Sequence, residues 1–229
     1  AAARSSSPEP GGPAAACVLS LRFAYRNGTV LGVAETETPV EAAMARIEPL
    51  SPPYEASTGQ LLADMMPPGQ PPIGLFRTFA RHERMTRAMR GWGSYELGRD
   101  LSLTRREREV VIDRTTARCG CEYEWGVPVA CVAERVGLTA EQLRSITSGS
   151  PHDPCWTADR ERLLLQLVDA LHDDADVDDE LWASLSGCFS DEEILDALML
   201  CGWYHAISFT ANAARVAREP GAPRFADLR

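Results

Sequence analysis

The sequence predicts an all-α fold, a helical bundle preceded by a short N-terminal β-hairpin-like extension. Three observations carry that expectation. Start signals of the hydroxyl-x-x-Glu/Gln type stand at Ser57…Gln60, Thr104…Glu107, Thr139…Gln142 and Ser190…Glu193, each ahead of an apolar-periodic stretch. Apolar residues recur at helical spacing, in Leu164, Leu167, Val168 and Leu171 and again in Ile194, Leu195, Leu198 and Met199. The one β-type pattern, Val18 to Val33 around Asn27-Gly28, falls within the first 43 residues.

Taken in order, residues 1–13 are rich in Ala, Ser, Pro and Gly and read as a disordered tail. From Cys17 to Val33 two apolar runs flank the Asn-Gly pair, a hairpin signal whose two strands need something to pack on. Met44 opens a stretch that reads as a natural start, so the expected organisation is an extension over 1–43 and a helical domain over 44–229. Helices are expected near 58–66, 73–90, 105–118, 122–136, 140–147, 158–173, 179–186 and 191–217, with Pro67–Pro72 and Ser148–Pro154 as rigid connectors. Pro128 has no N–H to donate, so its helix either begins near Gly126–Val127 or is kinked beside Glu124.

Composition excludes several classes of chemistry. All 23 basic residues among 229 are arginine, which removes Schiff-base, pyridoxal-phosphate and Walker-loop mechanisms, since each needs a lysine. A net charge of −10 argues against nucleic acid and anionic membranes as partners. Eleven acids and no arginine lie between 163 and 214. Their densest run, Asp173 to Glu180, lacks the Gly and Glu of a calcium loop (Asp179 and Leu185 stand there) and reads as a solvated helix junction. No apolar run reaches the roughly 18–20 residues of a bilayer span. Seven cysteines at irregular spacing, with no apolar leader ahead of them, point to a reducing, cytoplasmic setting. His-x-x-x-His, Glu-x-x-His and Cys-x-x-Cys are all absent, so spacing asks for no metal and no cofactor. His82, His152 and His172 have no partner in sequence and are expected at the surface; Cys131, Cys188 and Cys201 fall on apolar faces and are expected to be buried.

Residues 103–146 carry the chemical signal. A capped helix ends at Cys119-Gly120-Cys121, with Gly120 free to take the left-handed conformation that terminates it. Cys121 then opens the next helix, where free amides and the helix dipole are expected to lower a thiol pKa. On the last helix His205 stands among Trp203, Tyr204, Ile207 and Phe209, with Asn212 on its face. Imidazole is the natural proton shuttle near neutrality.

These residues resemble the carboxymuconolactone decarboxylase family of the alkylhydroperoxidase D-like superfamily. The resemblance rests on Arg106-x-Arg108-Glu109, Cys121-x-Tyr123-Glu124-Trp125-Gly126, Gly137-Leu138-Thr139-x-Glu141-Gln142 and Gly202-Trp203-Tyr204-His205-x-Ile207-Ser208 with Asn212, and spans roughly 44–229. It implies an alkylhydroperoxidase D-like helical bundle, no cofactor, a small-molecule substrate, and a homo-oligomer (trimer or hexamer). Peroxide-reducing members use a Glu, a Cys-x-x-Cys pair and a His four residues after it. Glu109 and Cys121 match, while Glu124 and Pro128 occupy the second Cys and the His positions. The resemblance therefore implies two activities. The first is cofactor-independent proton transfer on a small carboxylic acid or lactone. Glu109, Cys121, Glu124 and His205 would be its catalytic groups, and Tyr123, Trp125, Arg106, Tyr204 and Asn212 would bind substrate. The second is thiol-dependent hydroperoxide reduction with an incomplete relay, Cys121 attacking and either Cys119 or a partner thiol resolving. A helical oligomer that binds a ligand without turnover is the non-enzymatic reading.

Overall fold

A computed structural model describes residues 44–228; the hairpin expected around Asn27-Gly28 lies outside them. Nine α-helices follow in order: α1 (Ala56–Asp64), α2 (Gly74–Phe79), α3 (Glu83–Glu96), α4 (Arg105–Arg118), α5 (Glu122–Cys131), α6 (Ala140–Ser148), α7 (Asp159–Asp173), α8 (Asp179–Cys188) and α9 (Asp191–Ala214). Short 3-10 turns occupy Ala80–His82, Ala133–Val136 and Phe225–Leu228, and no strand occurs among the described residues.

α4 is the axis of the bundle, packed against α5, α6, α7 and α9. Every residue from Glu107 to Thr116 is buried. Its Val110-Val111-Ile112 and Thr115-Thr116 runs are β-branched and poor helix formers, so the helix depends on its cap and its surroundings. The cap is complete: Thr104 Oγ1 accepts from the Glu107 amide and Glu107 Oε2 accepts from the Thr104 amide. Apolar partners come from Leu164, Leu165, Leu167 and Val168 of α7, each contributing roughly 1.5–3 kcal/mol by burial. The buried Arg114 guanidinium is fully engaged as well. Arg114 makes a two-pronged pair with Asp169 at 2.7 Å and donates to the carbonyls of Ser145, Ile146 and Gly149 at the end of α6.

Three of the four expected starts are reciprocal capping boxes, at Thr104, Thr139 and Ser190. Ser57 is not. α1 begins two residues earlier, at Ala56 after Glu55, and the Ser57 hydroxyl donates instead to Glu83 of α3 at 3.1 Å. The single helix expected over 73–90 is two, joined by the 3-10 turn, and the second runs on to Glu96. The acidic stretch after α7 is exposed, as its composition suggests.

On α9 the buried stripe is Ile194, Ala197, Leu200, Cys201, Tyr204, Ile207, Ser208 and Ala211. Leu195 and Met199, expected within it, are 60% and 51% exposed. By length and mean hydropathy α9 matches a membrane span, and its buried stripe packs on α4. The helix ends at Ala214 rather than 217, where Arg215 turns left-handed at φ 54° and the Val216 amide donates to the Ala211 carbonyl. The following segment folds back over the bundle. Glu219 accepts from the Gly74 amide, the first of α2, and from the Tyr123 hydroxyl, both at 2.6 Å, while Phe225 packs on Trp125.

Candidate active site

The junction of α4 and α5 positions the site. Gly120 adopts φ +60°, its amide donates to the Ala117 carbonyl, and the Cys121 amide donates to Thr116. These are the paired bonds of a helix closed through a left-handed residue. α5 starts directly after, at Glu122, and runs through Pro128, so the later start at Gly126–Val127 is not adopted. With no N–H at position 128, the Glu124 carbonyl loses its usual helical donor beside the cavity.

That cavity has a volume of about 150 Å³ and lies between the α1–α2 connection and helices α2, α3, α4, α5 and α9. Its walls include Leu75, Phe76, Phe79, Met89, Ile112, Val127, Trp203 and Ile207; the polar side chains reaching it include Glu109, Glu124, Tyr204, Thr86 and Ser94. Asp64 and Arg90, ion-paired at 3.0 Å and about one-third exposed, join the lining from α1 and α3. Apolar cavities near 150 Å³ accept molecules the size of benzene, so the space suits a small ring or a short acid.

Two carboxyls give the cavity its chemistry. Burial pushes Glu124 up to about 7, leaving a large share protonated at neutral pH. Glu109, 2% exposed, is also raised by burial, and the Arg108 guanidinium at 3.3 Å pulls it back toward ionisation. Arg108 is itself held by the Leu97 carbonyl at 2.9 Å. One turn further along α4, Asp113 is buried, and burial plus the Glu109 charge raise it well above the usual carboxylate range.

Of the nine residues singled out in the sequence, the structure brings Glu109, Glu124 and Tyr204 together at the cavity. Cys121 is fully buried and does not line it. The Glu124 amide faces its sulfur, as expected at a helix start, yet desolvation outweighs that field and pushes the thiol up to about 11, opposite to the expected lowering. Cys119 is likewise raised to about 11 by burial, and the Ser208 hydroxyl faces both thiols. Arg106 pairs with Glu161 at 2.6 Å and donates to the Val136 carbonyl and Gln142, linking α4 to α6 and α7. Tyr123 bridges the Leu75 amide and Glu219; Trp125 is fully buried against Phe225. Asn212 donates to the Cys119 carbonyl at 2.9 Å instead of orienting His205.

His205 points away from the cavity, one residue round α9 from Tyr204. Its Nε2 lies 2.9 Å from Nδ1 of His172, which is therefore not the unpartnered surface histidine expected from sequence. His82 also has a structural task, its Nδ1 accepting from the Met85 amide at the start of α3. Cys201 is buried as expected, whereas Cys188 is exposed. Sequence reasoning missed Arg90 and Asp64. The spacing Thr86, Met89, Arg90, Gly93, Ser94, Leu97 marks one face of α3 and was the signal available.

No family model and no curated protein matches the sequence. Solved structures do. An uncharacterized peroxidase-related protein from Silicibacter sp. TM1040 superposes with TM-score 0.64 at 18% identity, over 83% of this chain and 100% of its own. The AhpD-core peroxidase-related protein from Ralstonia eutropha JMP134 follows at 0.60 and 16%, over 76% and 93%. The apo debrominase Bmp8 matches at 0.60 and 14%, over 76% and 92%. The described helices thus form the alkylhydroperoxidase D-like bundle implied by the sequence motifs.

Proposed function

We propose that this chain catalyses cofactor-independent proton transfer on a small carboxylic acid or lactone, in the manner of a decarboxylase. The observation that supports it is a carboxyl with a pKa of about 7, Glu124, facing an apolar cavity beside a second carboxyl, Glu109. Arg90, at the same cavity, attracts the substrate carboxylate. Once seated in apolar surroundings that carboxylate loses its hydration, which favours loss of carbon dioxide. The C–C bond breaks, its electron pair passes into the adjacent carbonyl as an enolate, and Glu124 gives its proton to the carbon. Solvent then reprotonates Glu124. Glu109, 3.3 Å from the Arg108 guanidinium, stands at the same cavity.

The test is carbon dioxide release from a panel of β-keto acids and lactone acids. Because the protonated form of Glu124 acts, the rate should fall as pH rises through about 7. Glu124→Gln should lower turnover by roughly 10²–10⁴-fold, the usual worth of a positioned acid. Turnover in Glu124→Gln equal to the parent would overturn the assignment.

One observation favours a second reading, thiol-dependent peroxide reduction: Cys119 and Cys121 face the same Ser208 hydroxyl. Here Cys121 sulfur attacks the peroxide, the alcohol leaves, and Cys119 resolves the sulfenic acid with loss of water, an external thiol restoring both. Peroxide consumption abolished by Cys121→Ser and indifferent to Glu124→Gln selects it. Self-association belongs to the same proposal, and the apolar side chains exposed on α9 supply the surface for it.

A further inference from the structure

The geometry points to a divalent transition-metal site of the zinc class at Cys119, His172 and His205, separate from the cavity, with solvent in the fourth position. One donor atom from each residue lies within 4.8 Å of the other two. Tetrahedral zinc with bonds of about 2.0–2.3 Å separates its donors by roughly 3.3–3.8 Å, so small side-chain rotations close the site.

Each ligand comes from a different element: Cys119 from the C-terminal cap of α4, His172 from the last turn of α7, His205 from the middle of α9. The Cys119 backbone is fixed twice, by its own amide's bond to Thr115 and by Asn212 on its carbonyl. His205 is set in the same way as a metal-bound histidine. Its Nδ1 lies 2.9 Å from the Cys201 carbonyl, which only accepts, so the proton sits on Nδ1 and the Nε2 lone pair faces His172. The neighbouring carboxylates, Asp169 and Asp173, are engaged by Arg118 and leave the imidazoles to each other. All three ligand residues are half-buried, which leaves an entry path. A thiol with two imidazoles selects a borderline or soft cation over calcium or magnesium.

Binding is balanced by protons. The Cys119 S–H proton leaves to solvent, and His172 moves its proton from Nδ1 to Nε2, so one proton is released per ion.

The experiment uses the full chain carrying Cys188→Ser, which removes an exposed thiol. After dialysis against a chelator it is titrated with zinc sulfate against a chromophoric competitor, and separately with cobalt(II) chloride. One ion per chain is expected, with one proton released and a sulfur-to-cobalt charge-transfer band. Cys119→Ser should abolish that band. Cys119→Ser and His172→Gln should each weaken zinc by more than the roughly 10–100-fold that loss of an outer-shell partner costs. Cys121→Ser should bind as the parent does. Circular dichroism confirms that each variant is folded, and His172→Gln, at a half-buried position, keeps the test valid if Cys119→Ser unfolds. Absence of binding by the folded parent, a cobalt complex without the sulfur band, or undiminished affinity in His172→Gln would each overturn the site.

Discussion

Glu96 closes α3 with no exposed surface, and burial together with the Asp196 charge pushes its carboxyl up to about 7. Asp196 accepts from the Tyr95 hydroxyl at 2.6 Å and from the Ser102 amide and hydroxyl. In the unfolded chain Glu96 and Glu124 ionise near 4.5, whereas the folded chain holds their protons to about 7. The folded state binds more protons in that window, so stability falls as pH rises from about 4.5 to about 7 and levels off above. Glu96→Gln keeps the shape without the charge. It should raise stability at pH 8 by about 1–3 kcal/mol and leave it unchanged at pH 5, as read from urea denaturation. Glu107 and Glu193 work the other way. Arg160 holds both below the ordinary carboxylate range, so their contribution is lost in acid. At this scale Gly120, Glu109 and Glu124 were legible in the sequence, since local spacing places them. The sign of the Cys121 shift was not, because it depends on how much protein covers the sulfur. Nor was the His172–His205 pair, formed across 33 residues by two helices with no shared pattern.

Among the elements, α5 and the segment after α9 are fitted to each other. A Cβ on Gly126 would stand 2.8 Å from the Pro223 carbonyl oxygen, so a larger residue forces backbone apart. Gly126→Ala should cost about 1–3 kcal/mol by urea denaturation and make the chain after Arg218 more susceptible to trypsin, with α4 unaffected. Glu219→Gln should be milder, since an amide oxygen still accepts from Gly74 and Tyr123. Helix starts were legible wherever a hydroxyl met a Glu or Gln three residues on and the chain entered extended, as at Thr104, Thr139 and Ser190. At Ser57 the same pattern misled because Glu83, 26 residues away, takes the hydroxyl. On α9 both faces are apolar in places, so spacing alone did not separate the buried stripe from Leu195 and Met199.

For the whole molecule, those exposed side chains carry a consequence. Leu195, Met199 and Phe209 of α9 and Trp182 of α8 are 60%, 51%, 60% and 45% exposed. We expect light scattering to give a mass above the monomer, and Leu195→Glu combined with Phe209→Glu to return it to one chain. An unchanged mass in that double variant would remove α9 from the interface. The bundle architecture was legible in the sequence because helix signals run through most of 44–229, but the cavity was not. Its walls come from helices far apart in the chain, and α3, which supplies Arg90, carries no catalytic motif.

The bond from Gly74 to Glu219 reaches across 145 positions. During synthesis at about 5–20 residues per second, the opening turn of α2 therefore waits roughly 7–30 s for its acceptor. Until then the wall that α2 lends to the cavity is held without that tether, and a nascent chain on the ribosome presents its greasy interior to whatever chaperone stands at the exit.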